Sequence, residues 1–172
     1  KVFNRVVEEL PNINKLERSE SPLSKLTLAL QCGGSDSYSG ITSNPALGIA
    51  SDMIVDNGRS TILAETTEIY GAEHLLFERS VNKENIIKIE KQIKWWKEYL
   101  SKNNSVLDNN PSPGNKKGGL TTILEKSLGA VAKSGSRNMV DVLDYAEKLK
   151  IKGFNFMNSQ GYDPVSVTGQ VA

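Results

Sequence analysis

Three polar segments of this chain carry the residue types that could do chemistry, at residues 31–44, 65–74 and 110–122. Each contains glycine, and each lies beside an apolar stretch of the sequence. In open α/β sheets, ligands bind beyond the carboxyl ends of the strands, where loops meet the N-termini of helices. The three segments therefore form the candidate site.

The first segment has the richest chemistry. Gly33 and Gly34 allow close backbone approach, and the helix expected after them favours an anion such as a carboxylate at its N-terminus. Cys32 and Asp36 are of types that ligate a metal or transfer a proton. The alternative is a tight strand-to-helix connection with an inert buried cysteine. The segment also offers five hydroxyl side chains, on Ser35, Ser37, Ser39, Thr42 and Ser43.

The second segment is rich in carboxylates. Glu65 closes an apolar run, a common place for a catalytic carboxylate in α/β enzymes, and Glu68 and Glu73 follow it. His74, the one histidine, is adjacent to Glu73, so on a helix the two side chains diverge by about 100°. Their spacing matches no helical metal motif.

The third segment combines glycines with Asn115, Lys116 and Lys117 ahead of a helical pattern. This composition is typical of a loop that cradles an anion, although the spacing of a phosphate-binding P-loop is absent. A solvated loop explains the same residues equally well.

The elements that would position these segments indicate an α/β fold. Residues 25–31 contain a short buried strand, residues 43–58 a helix with Ser43 or Asn44 as its cap and Pro45 in its first position, and residues 60–64 a second strand. Residues 25–65 thus form a strand–turn–helix–strand unit. We expect a three-layer arrangement, with a mostly parallel sheet and flanking helices.

Further elements are predicted along the chain from periodicity and capping residues. Helices are expected at residues 2–10 (ending at Pro11), 73–79, 82–100 and 122–133, a loop at 101–119, a strand at 153–157, and a turn into a further helix from 159. The helix at 122–133 has a capping box of Thr122 and Glu125.

Composition excludes several classes of protein. The chain has 172 residues, with 21 basic and 20 acidic side chains and a net charge of +1, so nucleic acid and anionic membranes are not expected partners. A single cysteine excludes an internal disulfide, and together with the lack of a signal-like stretch it fits a reducing cytoplasm. No run is long enough to cross a bilayer.

Several strings in these loops resemble the altronate/galactarate dehydratase family. They include Leu30-Gln-Cys-Gly-Gly-Ser-Asp36, Gly40-Ile-Thr-Ser-Asn-Pro-Ala-Leu-Gly48, Glu68-Ile-Tyr-Gly-Ala-Glu-His74, Asn110-Pro-Ser-Pro-Gly-Asn-Lys116, Gly118-Gly-Leu-Thr-Thr122, Glu125-Lys-Ser-Leu-Gly129 and Gly161-Tyr-Asp-Pro-Val-Ser-Val-Thr-Gly169. The resemblance runs in order from about residue 26 to the end. Two of the strings, at 68–74 and 110–115, look closer to altronate dehydratases.

The resemblance implies a cytoplasmic enzyme of hexuronate catabolism that removes water from a 2,3-dihydroxy acid and gives a 2-keto-3-deoxy acid. It implies a divalent metal, usually iron(II), and no nucleotide cofactor. Members of the family are considerably longer, with a small N-terminal domain and further C-terminal sequence. The chain is therefore expected to be a single domain, residues 1–172, of a larger catalytic region, inactive alone and able to form a homo-oligomer.

The dehydration needs a Lewis acid, a base beside the carboxylate, and dipoles that hold the enediolate. With the resemblance in view, Cys32, Asp36 and Glu65 are the candidates for metal ligation and acid–base work. The candidates for binding the carboxylate and hydroxyls of the substrate are Ser35, Thr42, Asn44, Asn115 and Lys116. The resemblance gives His74 no role.

Two alternatives stay open. A related lyase acting on another 2-hydroxy acid, such as sulfolactate, would share the architecture. A non-catalytic binding or assembly module would recognise a small anion through the Gly33-Gly34 and Lys116-Lys117 loops, and it would need no metal.

Overall fold

The computed structural model describes residues 1–161, and their architecture is α/β. The strands are β1 (Thr27–Leu30), β2 (Ser60–Leu63), β3 (Met139–Leu143) and β4 (Phe154–Met157). The helices are α1 (Val2–Ile13), α2 (Ser43–Asp56), α3 (His74–Phe77), α4 (Lys83–Lys102), α5 (Pro113–Lys117) and α6 (Ile123–Ala132). Within this part of the chain, no helix is long and apolar enough to cross a bilayer.

The four strands form one sheet in the order β1-β2-β4-β3, and every pair is parallel. This confirms the predicted α/β class and the strand–turn–helix–strand unit at residues 25–65. The central strands β2 and β4 are buried at every position, as expected for the middle of a parallel sheet. Because all four strands run the same way, their carboxyl ends meet at one edge, and the loops after β1, β2 and β4 lie together there.

The main hydrophobic core joins the sheet to helices α4 and α6. Phe154 and Phe156 of β4 pack with Ile89 and Ile93 of α4 and with Val131 of α6. A smaller cluster of strand side chains is separate from this core and consists of Ile62, Ala64, Leu143 and Met157.

Helices α2 and α6 approach each other closely through glycine. A Cβ atom added to Gly48 would lie 2.3 Å from the carbonyl oxygen of Ala132. No side chain larger than hydrogen fits there, so Gly48 fixes the position of α6 against the unit that carries the first predicted segment.

Four details of the sequence-based elements were wrong. Helix α1 continues through Pro11 to Ile13, because proline removes one hydrogen bond without preventing another exposed turn. Helix α2 begins at Ser43, with Thr42 in the cap position and no side-chain cap bond. The loop expected at 101–119 contains α5, and the edge strand β3 was missed.

The remaining helices agree with the predictions in position. Asn82 caps α4 by accepting a hydrogen bond from the Asn85 amide. The side chain of Thr122 caps α6 by accepting from the Glu125 amide, although the Glu125 carboxylate bonds to Thr121 instead of closing the box. The turn and helix expected from residue 159 lie mostly outside the described residues.

Candidate active site

The loop after β1 is held by polar bonds to other loops. Cys32 is buried, and its Sγ lies 3.5 Å from the Ser35 hydroxyl. The Ser35 carbonyl accepts a 2.8 Å hydrogen bond from the side-chain amide of Asn115, on α5. The first and third predicted segments are therefore in direct contact, as the parallel sheet requires.

The Asp36 side chain stabilises the turn that it begins, residues 36–39. Its Oδ1 atom accepts hydrogen bonds from the Tyr38 amide, the Ser39 amide and the Ser39 hydroxyl at 2.8–3.0 Å. These bonds hold the pKa of this exposed carboxyl below its usual value. Asp36 is thus an ionised turn-forming side chain, which makes it a poor proton donor.

Two carboxylates stand side by side after β2. Glu65 immediately precedes the 3₁₀ turn Thr66–Glu68, and Glu68 ends it. A 3₁₀ turn has about three residues per turn, so side chains three apart lie on one face. Both are buried, at 0% and 4% exposure, and each has one carboxylate oxygen, Oε2, without a hydrogen-bond partner.

Two lysines, Lys126 of α6 and Lys133 at its C-cap, contact these carboxylates. Lys126 and Lys133 are seven residues apart, which places them on one helix face about 10 Å apart along the axis. The Nζ atom of Lys133 lies 2.5 Å from Glu65 Oε1, and that of Lys126 lies 3.1 Å from Glu68 Oε1. We call these four buried side chains the Glu–Lys ladder.

The two lysines differ in how fully they are bonded. Lys126 Nζ contacts three acceptors, Glu68 at 3.1 Å, the Asn110 side chain at 2.8 Å and the Asn115 side chain at 2.9 Å. An ammonium has three donors, so those of Lys126 are matched. Lys133 Nζ has one partner within residues 1–161, Glu65, which leaves donors for a ligand.

Burial dominates the acid–base properties of the site. Desolvation raises the pKa of Glu65 to about 7; the Lys133 ammonium opposes this rise and the neighbouring Glu68 carboxyl adds to it. Burial also raises the pKa of the Cys32 thiol, again with a contribution from Glu68, so the thiol keeps its proton at neutral pH. The edge of the sheet therefore holds a protonated thiol beside carboxylates, the combination that acid–base catalysis uses.

Two clefts open on either side of Gly33 and Gly34, which line both. The first, of about 580 Å³, we call the amide cleft; its lining includes Cys32, Thr67, Glu68, Trp96, Asn110, Asn115 and Lys126. The second, of about 380 Å³, we call the hydroxyl cleft; its lining includes Ser35, Asp36, Ser39, Thr42, Asn44 and Lys133. A small ligand lying across the two glycines would reach both clefts.

The clefts account for most of the predicted site residues. Ser35, Asp36, Thr42 and Asn44 line the hydroxyl cleft, whereas Cys32 and Asn115 line the amide cleft. Glu65 lies beneath them, fully buried and paired with Lys133. Lys116 is exposed on α5 and lines neither cleft.

Comparison with known proteins identifies the family. Residues 23–172 match the family model described as D-galactarate/Altronate dehydratase, C-terminal. The chain belongs to this dehydratase family.

Three relatives show how far the likeness extends. The chain is 44% identical over 156 residues to the altronate dehydratase of Bacillus subtilis strain 168, covering 91% of the chain and 31% of the relative. It is 41% identical over 163 residues to the galactarate dehydratase (L-threo-forming) of Escherichia coli K12, covering 95% and 31%. It is 35% identical over 158 residues to the (2R)-sulfolactate sulfo-lyase subunit beta of Chromohalobacter salexigens, covering 90% and 41%. The chain thus spans about a third of the length of its relatives.

Sequence reasoning missed the Glu–Lys ladder of this family member as a unit. Glu68 was noted but given no role, and neither Lys126 nor Lys133 was named as a candidate site residue. Lys126 is buried on α6 together with Ala130 and Val131, and Lys133, the C-cap residue of this helix, is buried as well. A lysine on the buried face of a helix requires a partner, and two carboxylates three residues apart supply it.

A larger cavity, of about 980 Å³, lies elsewhere. It is lined by exposed side chains of α4 and by residues after β3 and β4, including Ile87, Lys91, Trp95 and Tyr145. No member of the Glu–Lys ladder lines it, nor does Cys32. We therefore place the chemistry at the two smaller clefts, where the buried ionisable groups lie.

The described residues do not by themselves fit a complete metal site. Within residues 1–161, no group of three or more His, Cys, Asp or Glu side chains is arranged to hold an ion. Of the predicted ligands, Asp36 is engaged in its turn, Glu65 pairs with Lys133, and Cys32 bonds to Ser35.

Proposed function

We propose that this chain supplies part of the active site of a sugar-acid dehydratase, which removes water from altronate or a related aldonate or aldarate to give a 2-keto-3-deoxy acid. The observation that carries the proposal is the buried Glu–Lys ladder at two clefts that share Gly33 and Gly34. Membership of the dehydratase family supports it.

The hydroxyl cleft binds the substrate carboxylate in this proposal. Lys133 offers a buried ammonium with donors to spare, and helix α2 starts at the cleft with its positive end. Ser35, Thr42 and Asn44 line the same cleft. The Thr42 hydroxyl donates to the Tyr38 carbonyl and the Asn44 amide to the Gly129 carbonyl, so in this proposal their oxygen atoms accept hydrogen bonds from substrate hydroxyls. As charge moves onto the carboxylate oxygens in the enediolate, the attraction to Lys133 strengthens.

The proton steps take place on the amide-cleft side of Gly33 and Gly34, where Cys32 and Glu68 lie. Glu68 has an unpartnered carboxylate oxygen and lines the amide cleft, so it takes the proton from the carbon beside the carboxylate. The electron pair of that C–H bond then expels the hydroxyl of the next carbon, which leaves as water with the proton of Cys32. The resulting enol rearranges to the 2-keto acid, and the proton on Glu68 returns to the thiolate.

Glu65 acts through its neighbours in this scheme. It is buried away from both clefts, between Lys133 and Glu68. We therefore treat it as a positioning residue that holds the Lys133 ammonium in place. Asp36 shapes the loop that separates the clefts.

A divalent metal, iron(II) by resemblance, stays part of the proposal without a ligand set. Since the described residues do not form a complete site, no step above depends on it. The absence of a nucleotide cofactor, the cytoplasmic location, hexuronate catabolism and a homo-oligomeric state are likewise proposals. So is the view that residues 1–172 are one domain of a longer catalytic region.

The test is anaerobic turnover by the intact polypeptide that contains this chain, and by the 172-residue chain alone, with and without added iron(II). Formation of a 2-keto-3-deoxy acid from altronate or galactarate by the intact protein supports the proposal, and we expect the chain alone to be inactive. Turnover of sulfolactate in place of both sugar acids would instead favour the related lyase. Binding of a sugar acid without any turnover would favour the binding module.

A further inference from the structure

Lys126 joins three loops at the edge of the sheet. Its ammonium lies 3.1 Å from Glu68 Oε1, in the turn after β2, and donates to the side-chain oxygens of Asn110 and Asn115 at 2.8 and 2.9 Å. The side-chain amide of Asn115 in turn donates a 2.8 Å hydrogen bond to the carbonyl of Ser35, in the loop after β1. One buried ammonium therefore connects the three polar segments of the candidate site.

These contacts enclose one oxygen of the Glu68 carboxylate and leave the other without a partner. Besides the contact with Lys126, Oε1 accepts a 3.4 Å hydrogen bond from the side chain of Asn110. A Cβ atom added to Gly161 would lie 2.9 Å from the same oxygen, so the backbone closes a further side of it. Oε2 has no hydrogen-bond partner within residues 1–161. The carboxylate is therefore held through Oε1, and Oε2 is the oxygen that is left for a reaction.

Lys126 can influence a reaction only through the groups that it holds. An ammonium has three donors, and the three acceptors around Lys126 are all oxygen atoms of the protein. Lys133 differs, because its one partner within residues 1–161 is Glu65. Lys133 can bind a ligand directly, whereas Lys126 has no donor left for one.

The charge of Lys126 matters as well as its hydrogen bonds. The side chains of Lys126 and Glu68 are 4% and 5% exposed. A buried carboxylate without a cation beside it is strongly unfavourable, so removal of one partner of a buried pair displaces the other. Loss of the ammonium would therefore move Glu68 from its place at the amide cleft.

We propose that Lys126 is a positioning residue for the proton transfer, which holds the Glu68 carboxylate by Oε1 so that Oε2 removes the proton beside the substrate carboxylate. Asn110 supports both members of the pair, because its amide donates to Glu68 and its oxygen accepts from Lys126. This inference rests on the proposed dehydratase function and adds to it a residue that acts without contacting the substrate.

A double-mutant cycle on the intact polypeptide tests this role. The constants kcat and KM for altronate, or for the best sugar acid found, are measured for Lys126→Met, for Glu68→Gln and for the double variant. We expect Lys126→Met to lower kcat by about 30-fold or more and to change KM by less than about threefold. Because Lys126 acts through Glu68, the kcat of the double variant should lie within about twofold of that of Glu68→Gln.

Two further variants control for charge and for the loss of a lysine as such. Lys126→Arg keeps a cation beside Glu68, and its kcat should exceed that of Lys126→Met by about threefold or more. Lys94→Met removes the lysine of an exposed Glu–Lys pair on α4. It should change neither kcat nor KM.

Asn110→Ala extends the test to a case in which Lys126→Met does not fold. Asn110 is partly buried, and the change removes one acceptor of Lys126 and one donor to Glu68 Oε1. We expect kcat to fall by about threefold to tenfold with KM unchanged, and we expect no further loss when Asn110→Ala is added to Glu68→Gln.

The outcomes separate this inference from the function beneath it. Wild-type kcat in a folded Lys126→Met or Asn110→Ala variant overturns the inference, as do losses that multiply with that of Glu68→Gln. A higher KM with unchanged kcat overturns it too, because Lys126 would then bind the substrate itself. In each of these cases the dehydratase function stands. Failure of the intact, iron-supplied wild type to dehydrate any sugar acid overturns both.

Discussion

Two glutamates beyond the carboxyl ends of strands pair with lysine, and their pKa values move in opposite directions. Glu65, after β2, is fully buried against Lys133, and its pKa rises to about 7. Glu147, after β3, keeps a quarter of its side chain exposed, bonds to Lys150, Lys88 and the Asp144 amide, and its pKa falls to about 2. A lysine partner is therefore not what sets the sign of the shift. Burial outweighs the partner at Glu65, whereas hydrogen bonds outweigh the modest desolvation at Glu147.

The ion pairs around Glu147 lie at the surface, whereas the Glu–Lys ladder is buried away from water. Glu147 pairs with Lys88 and Lys150 in contact with solvent. Ion pairs at the surface contribute little to stability. The Glu–Lys ladder leaves the Oε2 atoms of Glu65 and Glu68 without partners. Buried groups in this state cost stability, which is the usual signature of a functional site.

The largest expected effect on stability comes from breaking one rung of the ladder. Lys133→Met removes the partner of a fully buried carboxylate and should lower the free energy of unfolding by about 3–5 kcal/mol. The matched change at the surface, Lys150→Met, should cost far less, because the Lys150–Glu147 pair is exposed to solvent. Denaturant titration of both variants measures the contrast, and equal losses would mean that the two regions are energetically alike.

A second effect tests how tightly Glu68 is packed. Gly161 has φ +99°, and a Cβ atom added to it would lie 2.9 Å from Glu68 Oε1. Gly161→Ala should therefore destabilise the protein by about 1–3 kcal/mol, because it combines backbone strain with pressure on the carboxylate. Gly58→Ala shares the positive φ but meets no atom within 4 Å, so it isolates the strain. A Gly161→Ala loss no larger than that of Gly58→Ala would show that Glu68 has room to move.

The third effect is a dependence on pH. The pKa of Glu65 is higher in the folded state than its ordinary value of 4.5, so the folded protein binds this proton more tightly than the unfolded chain does. The stabilisation is complete below about pH 4.5 and is lost as the pH rises through about 7, by about 1–2 kcal/mol between pH 5 and 7. Unfolding free energies measured across this range should fall more steeply in the wild type than in Glu65→Gln. Parallel pH curves would contradict the raised pKa.

The smallest effect belongs to the exposed carboxylate. Glu147→Gln should change the unfolding free energy at pH 7 by less than about 1 kcal/mol. The lowered pKa gives Glu147 the opposite pH dependence to Glu65: its contribution is present above about pH 4.5 and is lost as the pH falls toward 2. Stability measured at pH 7 and pH 3 detects it, and a contribution that grew on acidification would be the wrong sign.

The sequence predicted the elements whose patterns were strong. Strands β1, β2 and β4 and helices α2, α4 and α6 lie where apolar runs and three/four spacing indicated. Strand β3 was missed because it lies at the sheet edge, where Asp141 interrupts the apolar run and the register shifts beside it. Helix α5 was missed although its start carries a capping box of Ser112 and Asn115 around Pro113.

The site was predicted in its loops but not in its charge pairs. Cys32, Ser35 and Asn115 were expected at the sheet edge and line or border the clefts there. The pairing of Glu65 with Lys133 and of Glu68 with Lys126 depends on how α6 packs against the turn after β2. The position of α6 depends on its close approach to α2 at Gly48. No local pattern in the sequence shows this contact.

The central claim is that Glu68, which lines the amide cleft, takes part in the reaction. The most direct measurement is kcat for altronate, or for the best sugar acid found, in the intact polypeptide carrying Glu68→Gln, with Glu98→Gln as the exposed control. At a temperature where circular dichroism shows both variants folded, we predict a loss of about 100-fold or more for Glu68→Gln and none for Glu98→Gln. A folded Glu68→Gln variant with wild-type kcat would contradict the account.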